Sequence, residues 1–159
     1  MCGVFISYST NNQKLVEQVI ELLQMGTGMG RQNIFCTAFN EALPTGEDFV
    51  SVIKQNMKAC EMVIALITLE YLQSKFCMME LGAAWMEASY LCPILGSGVD
   101  YKDLDNTPLK SLQMRKMDDD DDWFAIYNEI VNRKIVEHFD CTQFNRKLRE
   151  FLQWKTCSI

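Results

Sequence analysis

Residues 62–67, Met-Val-Ile-Ala-Leu-Ile, are the longest unbroken apolar run in the chain, and they constrain its fold more than any other feature. The run is far shorter than the about 20 residues a membrane-spanning helix needs. It shows no alternation of polar and apolar positions, so both of its faces must be buried. That is the pattern of a central strand in a parallel sheet. A parallel neighbour has to be reached by a crossover of about a dozen residues or more, usually a helix. Helical patterns should therefore flank the run.

They do. Residues 47–58 carry Phe49, Val52, Ile53 and Met57 on one helical face, and a helix is expected over 77–90 after a connector at 68–75. Nearer the start, Val4-Phe5-Ile6 is a short strand ending in Ser7-Tyr8-Ser9. Thr10-x-x-Gln13 has capping-box spacing. Leu15, Val16, Val19, Ile20, Leu22 and Leu23 then recur at helical spacing until Gly26 stops the helix. A second strand is expected at 33–36 and a polar, turn-rich loop at 37–46. Cys92-Pro93-Ile94-Leu95 reads as a fourth strand, with proline at its start where the missing N–H matters least. A loop covers 96–108, and a weak fifth strand is expected at 112–117. Trp123, Ile126, Tyr127, Ile130 and Val131 mark one later helix; Phe144, Leu148, Phe151 and Leu152 mark the last. Strands alternating with helices give an α/β fold: a flavodoxin-like open parallel sheet of about five strands with helices on both faces.

The 159 residues suit one domain, read as 1–159 with a core of about 3–135 and a helical extension at about 140–157. The net charge of −6 is local, because five of the 21 acids fall at 118–122 and the others nearly match the 15 bases. That run reads as a solvated loop. With no basic patch, neither nucleic acid nor an anionic membrane is an expected partner. The seven cysteines are odd in number and include no CxxC pair. They read as reduced thiols of a cytoplasmic protein. The N-terminus has neither a basic n-region nor a cleavable apolar region.

In an open parallel sheet, ligands bind outside the carboxyl ends of the strands. The loops at 7–12, 37–46, 68–76 and 96–104 therefore share one rim. Glu80 sits near that rim, one turn into the helix after the most buried strand, among Phe76, Cys77, Met78, Met79 and Leu81. Phe76 precedes it by one helical turn. Two readings stand: a ligand clamp at a pocket rim, or an acid complementing the positive helix N-terminus. The single histidine, His138, has no ligand cluster around it and reads as a surface residue, so no metal site is expected. Gly26-x-Gly28-x-Gly30 follows a helix and precedes a strand, the wrong context for a phosphate cradle. Trp85 and the methionines, at helical spacing, read as core. Gly82-Ala83-Ala84 gives a small face suited to close helix packing.

Three of these segments together resemble the TIR domain family (Toll/interleukin-1 receptor/resistance protein). Val4-Phe5-Ile6-Ser7-Tyr8-Ser9 is similar to the family's opening box. The segment from Ala42 through Pro44 and Gly46 to Phe49 resembles its BB loop running into the second helix. Ser74-Lys75-Phe76-Cys77-Met78-Met79-Glu80 resembles its S-x-[aromatic]-C-x-x-E motif. The three occur in order on the expected elements, and the match covers roughly 3–135, with wording around Glu80 that looks bacterial.

The resemblance implies one of two modes. Some family members assemble through TIR–TIR contacts as adaptors. Others cleave NAD+ at the nicotinamide–ribose bond, with the glutamate of the third-helix motif essential. Carried onto this chain, that glutamate is Glu80, and the substrate-binding positions are Ser9, Thr10 and Phe76. Ser9 and Thr10 stand where the family's animal NADase carries basic residues. NAD+ is then substrate, no cofactor is required, and the products are nicotinamide with ADP-ribose or a cyclic isomer. Self-association is expected, with 37–46 as a contact. An infection-sensing partner or a separate effector is implied, as in bacterial antiphage systems of the Thoeris type. The alternative is a non-enzymatic adaptor or a mimic of host signalling.

Overall fold

The computed structural model describes residues 2–36 and 49–158. Five parallel strands, β1 (Cys2–Ser7), β2 (Ile34–Cys36), β3 (Cys60–Ile67), β4 (Leu91–Leu95) and β5 (Arg115–Lys116), form one sheet in the order β2-β1-β3-β4-β5. Among the described residues six α-helices accompany them: α1 (Gln13–Glu21), α2 (Phe49–Ala59), α3 (Leu69–Gln73), α4 (Lys75–Glu87), α5 (Asp120–Asn132) and α6 (Cys141–Cys157). The apolar run is the sheet's centre, as its lack of alternation requires, and 62–67 is buried throughout.

Side-chain parity divides the core. Val4, Ile6, Met62, Ile64, Leu66, Cys92 and Ile94 face α1, α5 and α6. Phe5, Val63, Ala65, Ile67 and Leu95 face α2, α3 and α4. A strand turns successive side chains to opposite faces, so Ser7 falls on the α4 side, beyond Phe5. Its register partner on β3 is Ala65.

Several expectations are corrected. The N-cap after β1 is Ser9, whose hydroxyl accepts from Asn11 N at 3.4 Å; Thr10 opens a 3-10 turn, and α1 follows from Gln13. Gly26 does not simply end a helix. α1 widens into a π-turn at Leu22–Gly26, and a Cβ on Gly26 would stand 3.0 Å from the Phe144 ring, so glycine here makes room for α6. The connector at 68–75 contains a helix of its own, α3. The fifth strand shrinks to two residues.

Pro93 lies inside β4, not at its start. Tyr90 O accepts from Val63 N on the β3 side, and Leu95 O accepts from Met117 N on the β5 side. Alternation turns Pro93 toward β5, which pairs only from Ile94 onward, so no ladder donor is lost.

The 118–122 run is not a plain solvated loop. Asp118 pairs with Lys155 of α6 at 3.1 Å and accepts from Ser97 Oγ at 2.8 Å. Asp119 caps α5, accepting from Asp122 N at 3.1 Å. Asp122 pairs with Arg115 at 3.2 Å and accepts from Lys116 N at 2.7 Å. Acids in a first helical turn also complement its positive end.

Cys2 and Cys60 are not the reduced thiols expected: they stand opposite each other in the β1–β3 register, with Cα atoms 4.6 Å apart, and are joined as a disulfide. Their separation of 58 residues hides a pairing that only strand register creates. Cys36, Cys77 and Cys92 are free and buried, and Cys141 and Cys157 free and exposed. Trp85 and the methionines are not all core: Trp85, Met25, Met79 and Met86 are exposed. A Cβ on Gly82 would meet nothing within 4 Å, so of the small trio Ala84 is the buried one, with Ala83 packed at the edge of the same cluster. Among the described residues no helix is long and apolar enough to cross a membrane.

Candidate functional site

At the carboxyl ends of β1 and β3, two helices meet at one residue. Thr68 opens α3, its hydroxyl accepting from Tyr71 N at 3.1 Å and donating to Asn12 Oδ1 at 2.7 Å. Ser74 ends α3 and begins α4, and its hydroxyl accepts from Cys77 N at 3.2 Å. The serine of the S-x-F-C-x-x-E pattern is thus an N-cap. Its cysteine is a fastener: Cys77 is buried, and its thiol donates to Tyr8 O at 3.6 Å, holding α4 against the end of β1.

These contacts place Glu80 in the second turn of α4, not the first, with only 2% of its surface exposed. Ser7 Oγ donates to Glu80 Oε2 at 2.7 Å and lies 2.9 Å from Tyr71 OH. Ser7 and Tyr71 are themselves buried. Glu80 Oε1 is buried without a hydrogen-bond partner. Burial pushes the carboxyl up to about 7 against the opposing effect of the Ser7 hydrogen bond. Among the described residues no lysine or arginine forms an ion pair with it. A buried carboxyl with no countercharge and one unsatisfied oxygen is unsuited to stability alone. It is suited to receiving hydroxyls or a cation from outside.

The four residues singled out from sequence do not converge equally. Glu80 is buried beside the end of β1, and Ser9 is buried as a turn cap. Thr10 is exposed on that turn. Phe76 is 38% exposed, one turn before Glu80 on α4. The loop expected at 37–46 lies outside the described residues. Sequence reasoning names neither Ser7 nor Tyr71 as a site residue. Strand parity offers the signal for Ser7, a hydroxyl on an otherwise apolar face at the strand's end. Tyr71 gives none, because its partner is 64 residues away.

Open volumes among the described residues lie elsewhere. A groove of about 690 Å³ opens at the amino ends of the strands, between Gly3, Gly28, Asn33, Glu61, Arg133 and His138. Its polar side chains carry charges of both signs. A smaller one, about 340 Å³, sits at the carboxyl ends of β4 and β5 around Gly96, Gly98, Tyr101 and Lys116. The exposed carboxylates of Asp119, Asp120 and Asp121 lie within 4.8 Å of one another, but they belong to the start of α5 and no histidine or cysteine joins them.

Sheet order and parallel strands define a doubly wound α/β domain, with the candidate site between the end of β1 and α4. The chain belongs to the TIR domain family, whose model matches residues 4–131. In structure it is similar to the TIR domain of the Toll-related receptor TRR-2 from the lower metazoan Hydra magnipapillata. That likeness has 16% identity and a TM-score of 0.60, covering 83% of this chain and 100% of the other. It is also similar to the TIR domains of the activated Roq1 resistosome, which directly recognizes the pathogen effector XopQ. There the identity is 14% and the TM-score 0.52, covering 99% of each chain. A search of curated proteins gives no match.

Proposed function

We propose that this TIR domain is an NAD+ glycohydrolase that cleaves the nicotinamide–ribose bond, with Glu80 as the catalytic carboxylate. The observation that carries the reading is Glu80 itself: buried at the carboxyl rim, held at Oε2 by Ser7, and unsatisfied at Oε1. In NAD+ the breaking C–N bond returns its electron pair to the pyridinium ring, so nicotinamide leaves neutral and needs no general acid. The sugar passes through an oxocarbenium-like transition state. A carboxylate that accepts the ribose hydroxyls stabilises the positive charge developing there. Water then adds, losing its proton, to give ADP-ribose; attack by a group of the same nucleotide gives a cyclic isomer. The cationic ring also supplies a countercharge, which no described lysine or arginine gives Glu80. Phe76, exposed one turn earlier, serves as a ring contact, and Ser9 and Thr10 border the nucleotide.

The same reading takes 1–159 as one TIR domain in the cytoplasm, where NAD+ is available. It assembles through TIR–TIR contacts and acts in bacterial antiphage signalling with a sensing partner or separate effector. A second reading, a non-enzymatic interaction module, is favoured by the exposed apolar residues Phe76, Met79 and Met86 along α4.

Nicotinamide release from NAD+ by concentrated protein, wild type beside Glu80→Ala, separates the two. Release by wild type that drops at least about 100-fold in the variant supports the enzyme. No release at any protein concentration, with biological effect intact in Glu80→Ala, supports the module. If ionised Glu80 is the working form, kcat/KM rises with pH and levels off above about 7. The kcat limb lies lower, because the bound cation favours the carboxylate. A kcat/KM profile flat from about pH 5 to 8 would exclude that role.

A further inference from the structure

Three buried groups from three elements form a chain: Tyr71 from α3, Ser7 from β1 and Glu80 from α4. Its direction follows from proton count. Ser7 has one hydroxyl proton, and an ionised carboxylate can only accept. With that proton on Glu80 Oε2, the 2.9 Å contact to Tyr71 must be donated by the phenol. Tyr71 is itself held, since its backbone N–H donates to Thr68, whose hydroxyl is tied to Asn12. The carboxylate is therefore gripped along one edge only.

We infer that Ser7 and Tyr71 are positioning residues, which fix the Oε2 edge of Glu80 so that Oε1 is the oxygen presented to the ligand's hydroxyls. The inference rests on the reading of Glu80 as the ligand carboxylate, but the grip itself is a property of the folded chain and can be read without substrate. A carboxylate with both oxygens free would rotate and share its charge among several poses. One anchored edge leaves a single acceptor in a fixed place, which is what oriented binding of a ribose requires.

The groups among the described residues that couple to Glu80 are Tyr8 at the end of β1, Tyr71 on α3 and Cys77 on α4. All three are pushed up by burial and stay neutral across the neutral range. Among the described residues Ser7 is the group that acts to favour the ionised form. Deleting the chain should therefore move Glu80's titration in one direction, upward.

The test follows the Glu80 carboxyl by carbon-13 NMR of glutamate-labelled protein, with the resonance assigned by Glu80→Gln. Ser7→Ala should raise its titration midpoint by about one pH unit. Tyr71→Phe, which removes a single oxygen and leaves the packing intact, should raise it by about half as much. In parallel, NAD+ cleavage should lose kcat several-fold in both variants with KM nearly unchanged, and its acid limb should move with the NMR midpoint. Ser7→Thr, which restores a hydroxyl, should recover part of both. A Glu80 midpoint that stays put in Ser7→Ala and Tyr71→Phe overturns the positioning role, whatever the activity. A midpoint that moves as stated in a protein that never cleaves NAD+ keeps the grip and overturns the substrate.

Discussion

The ionisation state of Glu80 bears on the fold as well as on the candidate site. Its carboxyl is raised from the ordinary 4.5 to about 7, so the folded chain binds that proton more tightly than the unfolded chain does. The stabilisation is fully present below 4.5 and is lost as pH climbs through about 7. Above that, holding the carboxylate ionised costs on the order of 3 kcal/mol. Glu80→Gln should therefore stabilise the protein by up to about 3 kcal/mol at about pH 8 and change it little at about pH 5. Urea melts at the two pH values check this, and an equal effect at both would show that the carboxyl is not raised. A natural protein that keeps such a residue is trading stability for a ready acceptor. Much of this was legible in the sequence. An acid among Phe76, Cys77, Met78, Met79 and Leu81, one turn into the helix after a buried strand, reads as lying near the rim, though not as buried. What holds it was not legible. Ser7 and Tyr71 meet Glu80 through tertiary contacts that no local spacing encodes, and Thr10 looks equivalent to Ser9 until the turn exposes one and buries the other.

At the scale of elements, the aspartate run shows how five identical residues acquire different jobs. Asp119 is the N-cap of α5, Asp122 ties the helix to Arg115 and Lys116, and Asp118 reaches Lys155. Asp121 is the second residue of the helix and is exposed. Asp119→Ala should cost about 1 kcal/mol, because it orphans a helix donor. Asp121→Ala should stay within about 0.5 kcal/mol, since relief of like-charge repulsion offsets its lost dipole interaction. Thermal melts of the two variants decide it, and equal losses would mean the run acts only through its summed charge. Long elements were read correctly because period 3.6 and unbroken apolar runs persist over enough residues to be recognised. The failures were short ones. α3 has five residues and β5 two, too few for any period to declare itself. The proline in β4 is tolerated because β5 is so short, a fact about a neighbour and not about the strand's own sequence.

For the whole molecule, the sheet acts as a partition. The face of α2, α3 and α4 carries Glu80, Ser7 and Tyr71, while the face of α1, α5 and α6 carries the larger aromatic core. There Phe144 of α6 stacks on Tyr127 at 4.5 Å, meets Phe124 edge-on at 5.4 Å and fills the space beside Gly26. Trp123 donates its indole N–H to Met117 O at 2.8 Å and packs edge-on against Phe151. α6 therefore closes a core that β1, β3 and β4 leave open. Phe144→Ala should cost about 3–5 kcal/mol. The site should not feel it, because β-sheet backbone separates the two sets, and Tyr8, the residue of the far core that couples to Glu80, donates its hydroxyl to Gln13 of α1 and not to α6. That independence is measurable with Phe144→Ala, Glu80→Gln and the double variant, melted at about pH 8, where Glu80→Gln should be stabilising. Their effects should add within about 0.5 kcal/mol, and the acid limb of NAD+ cleavage should be the same in Phe144→Ala as in wild type. An interaction above about 1 kcal/mol, or a shifted limb, would mean that α6 reaches Glu80 through the sheet. The C-terminal helix would then be a route by which a partner on the far face could set the ionisation of the site, and not merely the cover of its own core.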